Sequence, residues 1–261
     1  MRQAMSVLIK KDFRGITSNR RMFSQLLIVP FILVTVLPSV FVLTAHFAPD
    51  DPDNLKLLEL LPAEIPADSI ELAIAGLIFN YILPMFFLMI PTMTASIMAA
   101  TSFVGEKEKH TLETLLYSPL TLKEIFQAKV LASFLFSMMV SLISFVFMLL
   151  VLELEVFFLM GSLVVPSLNW LVILLLLSPG ISLIAVTLIV RGSAKAQSVE
   201  ESQQGAVFLI VPVILLVAGQ FSGVLLLNGR VLLVLSAVCW LFAWMLLQKT
   251  ARKFTYEILL K

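Results

Sequence analysis

The sequence predicts an all-α membrane protein with six transmembrane helices, and three observations point to this class. Hydrophobic residues make up 60% of the 261 residues and charged residues only 13%, with a mean hydropathy of +1.03. Soluble globular proteins contain about 45–50% apolar and about 25% charged residues, so this chain lacks the polar surface that a water-soluble fold needs. The other two observations are six long apolar runs and a strong asymmetry in the placement of lysine and arginine.

Six apolar runs are long enough to cross a bilayer, whose hydrocarbon core of about 30 Å needs about 20 residues of helix. None of the six contains Asp, Glu, Lys or Arg. They cover approximately residues 22–47, 72–104, 130–152, 170–190, 205–227 and 231–247. The second run is the longest, and we expect it to tilt, or to kink at Pro84 or Pro91.

Lysine and arginine are concentrated in alternate connections between the runs. The segments 1–21, 105–129, 191–204 and 248–261 carry sixteen of the eighteen basic residues. The positive-inside rule therefore places these segments, and both termini, in the cytoplasm. The connection 48–71 is acidic and is expected to face outward. No cleavable signal is evident, because the first run is far longer than the apolar part of a signal peptide.

The first 21 residues have the pattern of an amphipathic helix that lies on the cytoplasmic surface. Its apolar side is formed by Met5, Ile9, Phe13 and Ile16. Its basic side is formed by Lys10, Lys11 and Arg14. Asp12 falls on the apolar side, which the amphipathic pattern does not explain. The alternative is a basic tail that only sets the topology.

One short charged segment, residues 105–119, interrupts the apolar middle of the chain. Gly105 is expected to end the second span, and three leucines would then share one face of a short helix inside a charged rim. These are Leu112, Leu115 and Leu116. Pro119 ends this helix, and Thr121 and Glu124 form a capping box that starts the next one. Such an apolar patch is typical of a protein interface; the alternative is a solvated loop whose charges only enforce topology.

The stretch FVGEKEKHTLETLLYSPLTLKEIFQAKVL, residues 103–131, resembles the signature segment of type 2 ATP-binding-cassette (ABC) exporter permeases. In that family the second span is followed by Gly-Glu-Lys-Glu, Thr-Leu-Glu and Leu-Leu-x-Ser-Pro, and then by a helix that opens with Glu-Ile and contains a Lys. The stretch SAKAQSVEESQQGAVFLIVP, residues 193–212, is similar to the second cytoplasmic loop of the family. The short turn around Asn228 and Gly229 departs from members that carry re-entrant helices there.

The resemblance implies a single transmembrane permease domain over residues 1–261, in which residues 105–119 form a cytoplasmic coupling helix. This helix would dock on a separate cytoplasmic ABC ATPase subunit, which the amphipathic segment 1–21 would also contact. The residues expected at the docking contact are Gly105, Glu106, Glu108, Thr111, Leu112, Glu113, Leu115 and Leu116. The resemblance also implies export, and a second permease copy or a related permease, because six spans are half of the usual twelve.

The chain has no phosphate-binding loop of its own. Such a loop needs two glycines five positions apart, followed by Lys and Ser or Thr, and no pair among the ten glycines has that separation. We therefore expect no catalytic residue, metal site or cofactor in this chain, with ATP and Mg²⁺ bound by the partner subunit. The expected location is a prokaryotic cell membrane, with membrane lipids as neighbours and no nucleic-acid partner.

Four serines form a stripe along one face of the third run. They are Ser133, Ser137, Ser141 and Ser144. Small residues at this spacing permit close helix packing in membranes. A lining of the translocation path is the alternative interpretation.

Two other functions need arrangements of residues that the sequence does not offer. An intramembrane protease would need a Ser–His pair within hydrogen-bond reach, but Ser182 of the Gly-x-Ser triplet has only His46 and His110, which are predicted on opposite sides of the membrane. An ion-coupled transporter would need ionisable residues at mid-membrane, where the six runs have none. A membrane scaffold that recruits a partner other than an ATPase through residues 105–119 stays as the alternative function.

Overall fold

The computed structural model describes most of the chain. The described residues are 2–52, 56, 70–108, 111, 120–193, 196, 198–221 and 229–253. Within them all regular secondary structure is helical. Among the described residues six helices are long and apolar enough to cross a membrane, and we refer to them as spans 1 to 6: Leu26–Phe47, Ile70–Glu108, Leu122–Met160, Asn169–Ser193, Val199–Gly219 and Gly229–Arg252. They confirm the all-α class and the six predicted runs.

Several spans are built from more than one helical element. The α-helices of the described residues are α1 (Arg2–Thr17), α2 (Arg20–Phe31), α3 (Leu37–Phe47), α4 (Ile70–Leu77), α5 (Leu83–Phe87), α6 (Met89–Glu108), α7 (Leu122–Met160), α8 (Asn169–Val172), α9 (Ser178–Ser193), α10 (Val199–Phe221) and α11 (Gly229–Lys253). Three π-helical turns, Ile32–Val36, Ile78–Ile82 and Ile173–Leu177, lie within spans 1, 2 and 4. Helix α7 has 39 residues. At 1.5 Å per residue it is about 58 Å long, so it projects beyond a hydrocarbon core of about 30 Å.

Each π-helical turn lies just before a proline. Pro38, Pro84 and Pro179 each follow the last residue of a turn by two positions. Proline lacks an N–H, and in a regular α-helix its ring collides with the carbonyl four residues earlier. That carbonyl belongs to the third residue of each π-helical turn, where the wider winding makes room for the ring. The predicted kink at Pro84 therefore takes the form of a π-helical turn, while near Pro91 the helix is interrupted at Leu88.

Spans 2 and 4 form the centre of the bundle. In the most apolar stretch of each, 72% and 61% of the residues are buried, against 12% in span 5 and 22% in span 6. Trp170, in span 4, is buried, and its Nε1 donates to the carbonyl of Phe79 at 3.2 Å. Its ring centroid lies 4.9–5.5 Å from those of Phe79, Phe87 and Phe145, which are distances of favourable aromatic pairs. This aromatic group joins spans 2, 3 and 4.

Polar contacts hold the predicted outer end of the bundle together. Asn80 of span 2 donates to the carbonyl of Val165 at 3.3 Å and accepts from the N–H of Ser167 at 2.7 Å. These bonds anchor the loop between spans 3 and 4. His46 Nδ1 lies 2.8 Å from Glu71 Oε2, so the two ends of the acidic connection between spans 1 and 2 meet. Most of that connection lies outside the described residues.

Candidate functional site at the predicted cytoplasmic end

Helix α1 packs along the beginning of span 3 through the apolar side that the sequence predicts. Leu8 and Ile16 are buried, and Phe13 meets Phe136 of span 3 edge to face, with ring centroids 5.0 Å apart. The basic side chains of α1 are exposed; they are Lys10, Lys11 and Arg14. The bundle therefore covers part of the apolar side of α1 and leaves its basic side outside.

Asp12 lies on the apolar side of α1, and its side chain is only 6% exposed. Ser102 Oγ of span 2 donates to Asp12 Oδ2 at 2.6 Å, and Lys129 Nζ of span 3 lies 3.8 Å from the same oxygen. A carboxylate in such a place needs polar partners, because burying an unpaired charge is very unfavourable. The position of Asp12 on the apolar side is thereby explained: it joins α1 to spans 2 and 3.

Lys129 is the centre of these contacts, with a side chain that is 2% exposed. Its Nζ lies 3.2 Å from Glu106 Oε2 and donates to the backbone carbonyl of Ser102 and, at 3.2 Å, to the hydroxyl of the same residue. The ammonium also lies 5.5 Å from the centroid of the Phe103 ring, within the range of a cation–π interaction. These contacts replace much of the hydration that the ammonium loses on burial.

Glu106 joins the same group from the end of span 2. Lys11 Nζ donates to its Oε1 at 2.7 Å, while its Oε2 faces Lys129 as an ion pair without hydrogen-bond geometry. The Glu106 side chain is 9% exposed and that of Lys11 is 55% exposed, so the contact with Lys129 is the shielded one. Two acids and two bases balance one another in charge. We call Lys11, Asp12, Ser102, Glu106 and Lys129 the polar cluster.

Burial raises the pKa of Asp12 above its ordinary value of 3.8. The neighbouring Lys129 ammonium and the Ser102 hydrogen bond lower this pKa, but burial outweighs them, and the nearby Glu106 carboxylate adds to the rise. Asp12 therefore takes up a proton more readily in the folded protein than in the unfolded chain.

The second predicted cytoplasmic connection meets the end of span 2. Glu108 Oε2 accepts a hydrogen bond of 3.1 Å from the N–H of Val199, the first residue of α10. A carboxylate at this point satisfies a free N–H and is favoured by the helix dipole. A Cβ atom added at Gly105 would lie 3.6 Å from Val199 Cγ2, so the two helices are in close contact there.

Gly105 does not end span 2, in contrast to the expectation from the sequence. It lies inside α6, which continues to Glu108. The contacts of Glu106 with Lys11 and Lys129, and of Glu108 with α10, hold this extra turn in helical form.

The predicted docking residues divide between the described and undescribed parts of the chain. Gly105, Glu106, Glu108 and Thr111 are described, and the N–H of Thr111 donates to the carbonyl of Glu106 at 2.9 Å. The remaining predicted residues lie outside the described residues; they are Leu112, Glu113, Leu115 and Leu116. The structure thus locates the start of the predicted docking segment beside the polar cluster.

The predicted capping box at the start of span 3 is confirmed. Thr121 Oγ1 accepts from the N–H of Glu124 at 3.3 Å, and Glu124 Oε2 accepts from the N–H of Thr121 at 2.8 Å. These reciprocal bonds satisfy two donors that a helix N-terminus leaves free. Span 3 therefore has a defined first residue, immediately after the docking segment.

A comparison with protein families identifies the class to which these six spans belong. The family described as ABC-2 type transporter matches residues 3–245, nearly the whole chain. This chain belongs to the ABC-2 type transporter family. The match confirms the resemblance seen in residues 103–131 and makes the chain a permease component of an ABC transporter. No curated protein and no solved structure shows a significant match to this permease.

Most of the polar cluster of the permease was missed when site residues were predicted from the sequence. The missed members are Lys11, Asp12, Ser102 and Lys129. Two of them left a signal, because Asp12 lies on an apolar helix side and Lys129 lies about two turns into a helix that leads into the membrane. A charge at such a position indicates a buried partner, since an unpaired one would be costly. The sequence does not say which residue that partner is.

The serine stripe of the permease is buried along span 3. It consists of Ser133, Ser137, Ser141 and Ser144. The hydroxyls of Ser133, Ser137 and Ser141 donate to carbonyls of their own helix at 2.8–2.9 Å. Buried small residues whose hydroxyls are satisfied within the helix favour the packing interpretation. A lining of the translocation path stays a prediction.

Proposed function

We propose that this permease is the membrane-spanning subunit of an ATP-driven exporter and that a separate ABC ATPase subunit docks on residues 105–119. ATP hydrolysis by the partner would move these residues and switch the membrane part between inward- and outward-facing states. ATP and Mg²⁺ would bind to the partner, because the permease sequence has no phosphate-binding loop. Residues 109, 110 and 112–119 lie outside the described part of the chain. The support for a coupling helix there is the sequence resemblance of residues 103–131.

The observation that carries the proposal is the polar cluster, which joins the start of the docking segment to the helix that follows the segment. Glu106 is the second residue of the segment and Lys129 follows its end, and their ion pair brings spans 2 and 3 together. Lys11 attaches α1 to the same point. Buried ion pairs resist separation far more than exposed ones, because breaking them leaves an uncompensated charge. A displacement of the docking segment would therefore move α1, span 2 and span 3 together.

A second permease copy, or a related permease, completes the transporter in this proposal. Span 5 supports it, because only 12% of the residues in its apolar stretch are buried within one chain, which leaves most of this helix free to contact another subunit. Six spans per chain are also half of the number expected for such a transporter. The family resemblance supports export as the direction and a prokaryotic cell membrane as the location.

Co-purification with a partner tests the proposal. An affinity-tagged permease would be extracted in mild detergent from cells that co-express a candidate ABC ATPase, a soluble protein with a phosphate-binding loop. We expect the ATPase to be recovered with the permease and the complex to hydrolyse ATP, whereas the permease alone should not. Permease recovered without ATPase, from cells that contain both proteins, would contradict the proposal and favour the scaffold function.

A further inference from the structure

A cleft of about 780 Å³ opens at the predicted cytoplasmic end of the bundle, next to α1. Spans 3, 4 and 6 form its walls, and Met5 of α1 borders it. Its volume is within the range of about 300–1,000 Å³ that is usual for small-molecule sites. The cleft therefore has room for a ligand. It is separate from the polar cluster, whose residues are not among those that line it.

The walls of the cleft change from apolar to basic along the helix axes. On span 3, Lys123 and Gln127 line the cleft one turn apart, and Leu131 and Phe134 follow on the same face. From Lys123 to Phe134 the helix rises about 16 Å, at 1.5 Å per residue. A ligand that follows this wall must have one polar end and one apolar end.

The lining residues of span 6 change from apolar to basic as the chain runs toward the C-terminus, whereas those of span 3 change from basic to apolar. Leu247 lines the cleft first, Gln248 and Ala251 follow, and Arg252 is the last lining residue. The two spans thus place their basic residues, Lys123 and Arg252, at the same end of the cleft. Both side chains belong to exposed residues.

The charge of the lining favours an anion. Among the described residues that line the cleft, two are basic and none is acidic. The acid next to Lys123 in the sequence, Glu124, is occupied by the capping box with Thr121. In the part of the chain that the structure describes, neither Lys123 nor Arg252 forms an ion pair with a carboxylate.

We propose that the cleft binds an anionic phospholipid from the leaflet at this end of the bundle. Its headgroup phosphate lies between Lys123 and Arg252, and an acyl chain follows the apolar wall past Leu131 and Phe134. A basic pocket between transmembrane helices is a recognised kind of site for anionic headgroups. A soluble anion would leave the apolar wall uncovered, whereas an acyl chain covers it. The lipid contacts α1 through Met5 and so helps to hold α1 against span 3.

Native mass spectrometry of the delipidated permease tests this site. The probes are phosphatidylglycerol and phosphatidylcholine with the same acyl chains, and the soluble headgroup glycerophosphoglycerol. We expect phosphatidylglycerol to bind more tightly than phosphatidylcholine and the soluble headgroup to show no comparable binding. The double variant Lys123→Gln/Arg252→Gln should weaken phosphatidylglycerol binding about 30-fold. That factor equals about 2 kcal/mol at 1.4 kcal/mol per tenfold, as expected for two basic side chains at a membrane surface.

Two further variants separate this site from general surface attraction and from misfolding. Lys249→Gln removes a basic residue from the same end of span 6 that does not line the cleft, and it should leave phosphatidylglycerol binding unchanged. Leu131→Trp fills the apolar wall without changing the charge and should also weaken binding. Equal binding of the two lipids, an equal loss with Lys249→Gln, or wild-type binding by the double variant would overturn the proposal.

Discussion

Lys129 Nζ lies 3.2 Å from Glu106 Oε2, and this ion pair joins spans 2 and 3 on the two sides of the connection between them. Asp12, from α1, lies 3.8 Å from the same ammonium. A chain with few charges thus places several of them in one small volume. This arrangement is possible because each buried acid lies next to a base, so no charge is buried alone.

Replacing Lys129 by methionine should destabilise the permease strongly. The variant leaves Asp12 and Glu106 without their shared cation, and removing one partner of a buried ion pair costs about 3–5 kcal/mol. The measurement is the thermal unfolding midpoint in detergent. The matched control is Lys249→Met, which removes an exposed lysine at the same end of the bundle and should cost less than about 0.5 kcal/mol.

Neutralising the two acids should recover part of that loss. Adding Asp12→Asn and Glu106→Gln to Lys129→Met removes the uncompensated charges, and the remaining amides need no cation. An unfolding midpoint of the triple variant at or below that of Lys129→Met would contradict the electrostatic explanation. Equal midpoints for Lys129→Met and Lys249→Met would show that the polar cluster does not stabilise the fold.

The stability of the permease should depend on pH through Asp12. Burial raises the pKa of Asp12 above 3.8, so the folded protein binds this proton more tightly than the unfolded chain does. By linkage, the stabilising contribution is fully present below the unfolded pKa and is lost as the pH rises through the higher folded pKa. As the pH rises from the unfolded pKa of Asp12 to its folded pKa, the wild type should therefore lose stability relative to Asp12→Asn. Above the folded pKa the difference in stability between the two proteins should stay constant.

The measurement is the unfolding midpoint of wild type and Asp12→Asn from about pH 4 to about pH 8. This interval covers the ordinary range for a raised carboxyl pKa. The control is Asp50→Asn, which removes a carboxylate from an exposed residue at the predicted outer end. Parallel curves for wild type and Asp12→Asn over the whole range would refute this pH dependence.

Leu115 and Leu116 should be needed for binding of the ATPase and not for membrane insertion. Changing both to serine removes apolar area worth roughly 1.5–3 kcal/mol for each fully buried side chain. A combined loss of about 3 kcal/mol weakens a complex more than a hundredfold, at 1.4 kcal/mol per tenfold. The measurement is recovery of the co-expressed ATPase with the tagged permease, alongside the membrane yield of the permease.

A matched double variant distinguishes a specific contact from a general effect of leucine loss. Leu163→Ser/Leu168→Ser changes two exposed leucines between spans 3 and 4, at the predicted outer end. It should leave ATPase recovery unchanged. Normal recovery with Leu115→Ser/Leu116→Ser would contradict docking of the ATPase through these leucines.

Cysteine labelling should report the predicted orientation. The positive-inside rule places residue 53 outside and residue 109 in the cytoplasm. In a permease whose Cys239 has been replaced, Asp53→Cys should react with an impermeant thiol reagent on intact cells. Lys109→Cys should react only after permeabilisation. Labelling of Lys109→Cys on intact cells would reverse the orientation and remove the proposed docking site from the cytoplasm.

The sequence by itself determined the features that depend on local pattern. Each of the six spans follows from an uninterrupted apolar run, because a segment of that length without charges buries its backbone polar groups in lipid only as a helix. The capping box of Thr121 and Glu124 involves residues three positions apart, so its pairing could be predicted. The prolines at positions 84 and 91 likewise marked where span 2 becomes irregular.

The tertiary structure decided the pairings between distant residues. Asp12 meets Ser102, and Lys129 meets Glu106, only because α1 and spans 2 and 3 pack together. Sequence spacing cannot identify such partners, since any buried base would satisfy a buried acid. The same packing extended span 2 through Gly105 to Glu108, beyond the end of its apolar run. Apolar length therefore determines which segments cross the membrane, while buried charges find their partners only when the helices pack, because an ion pair depends on distance in space and not along the chain.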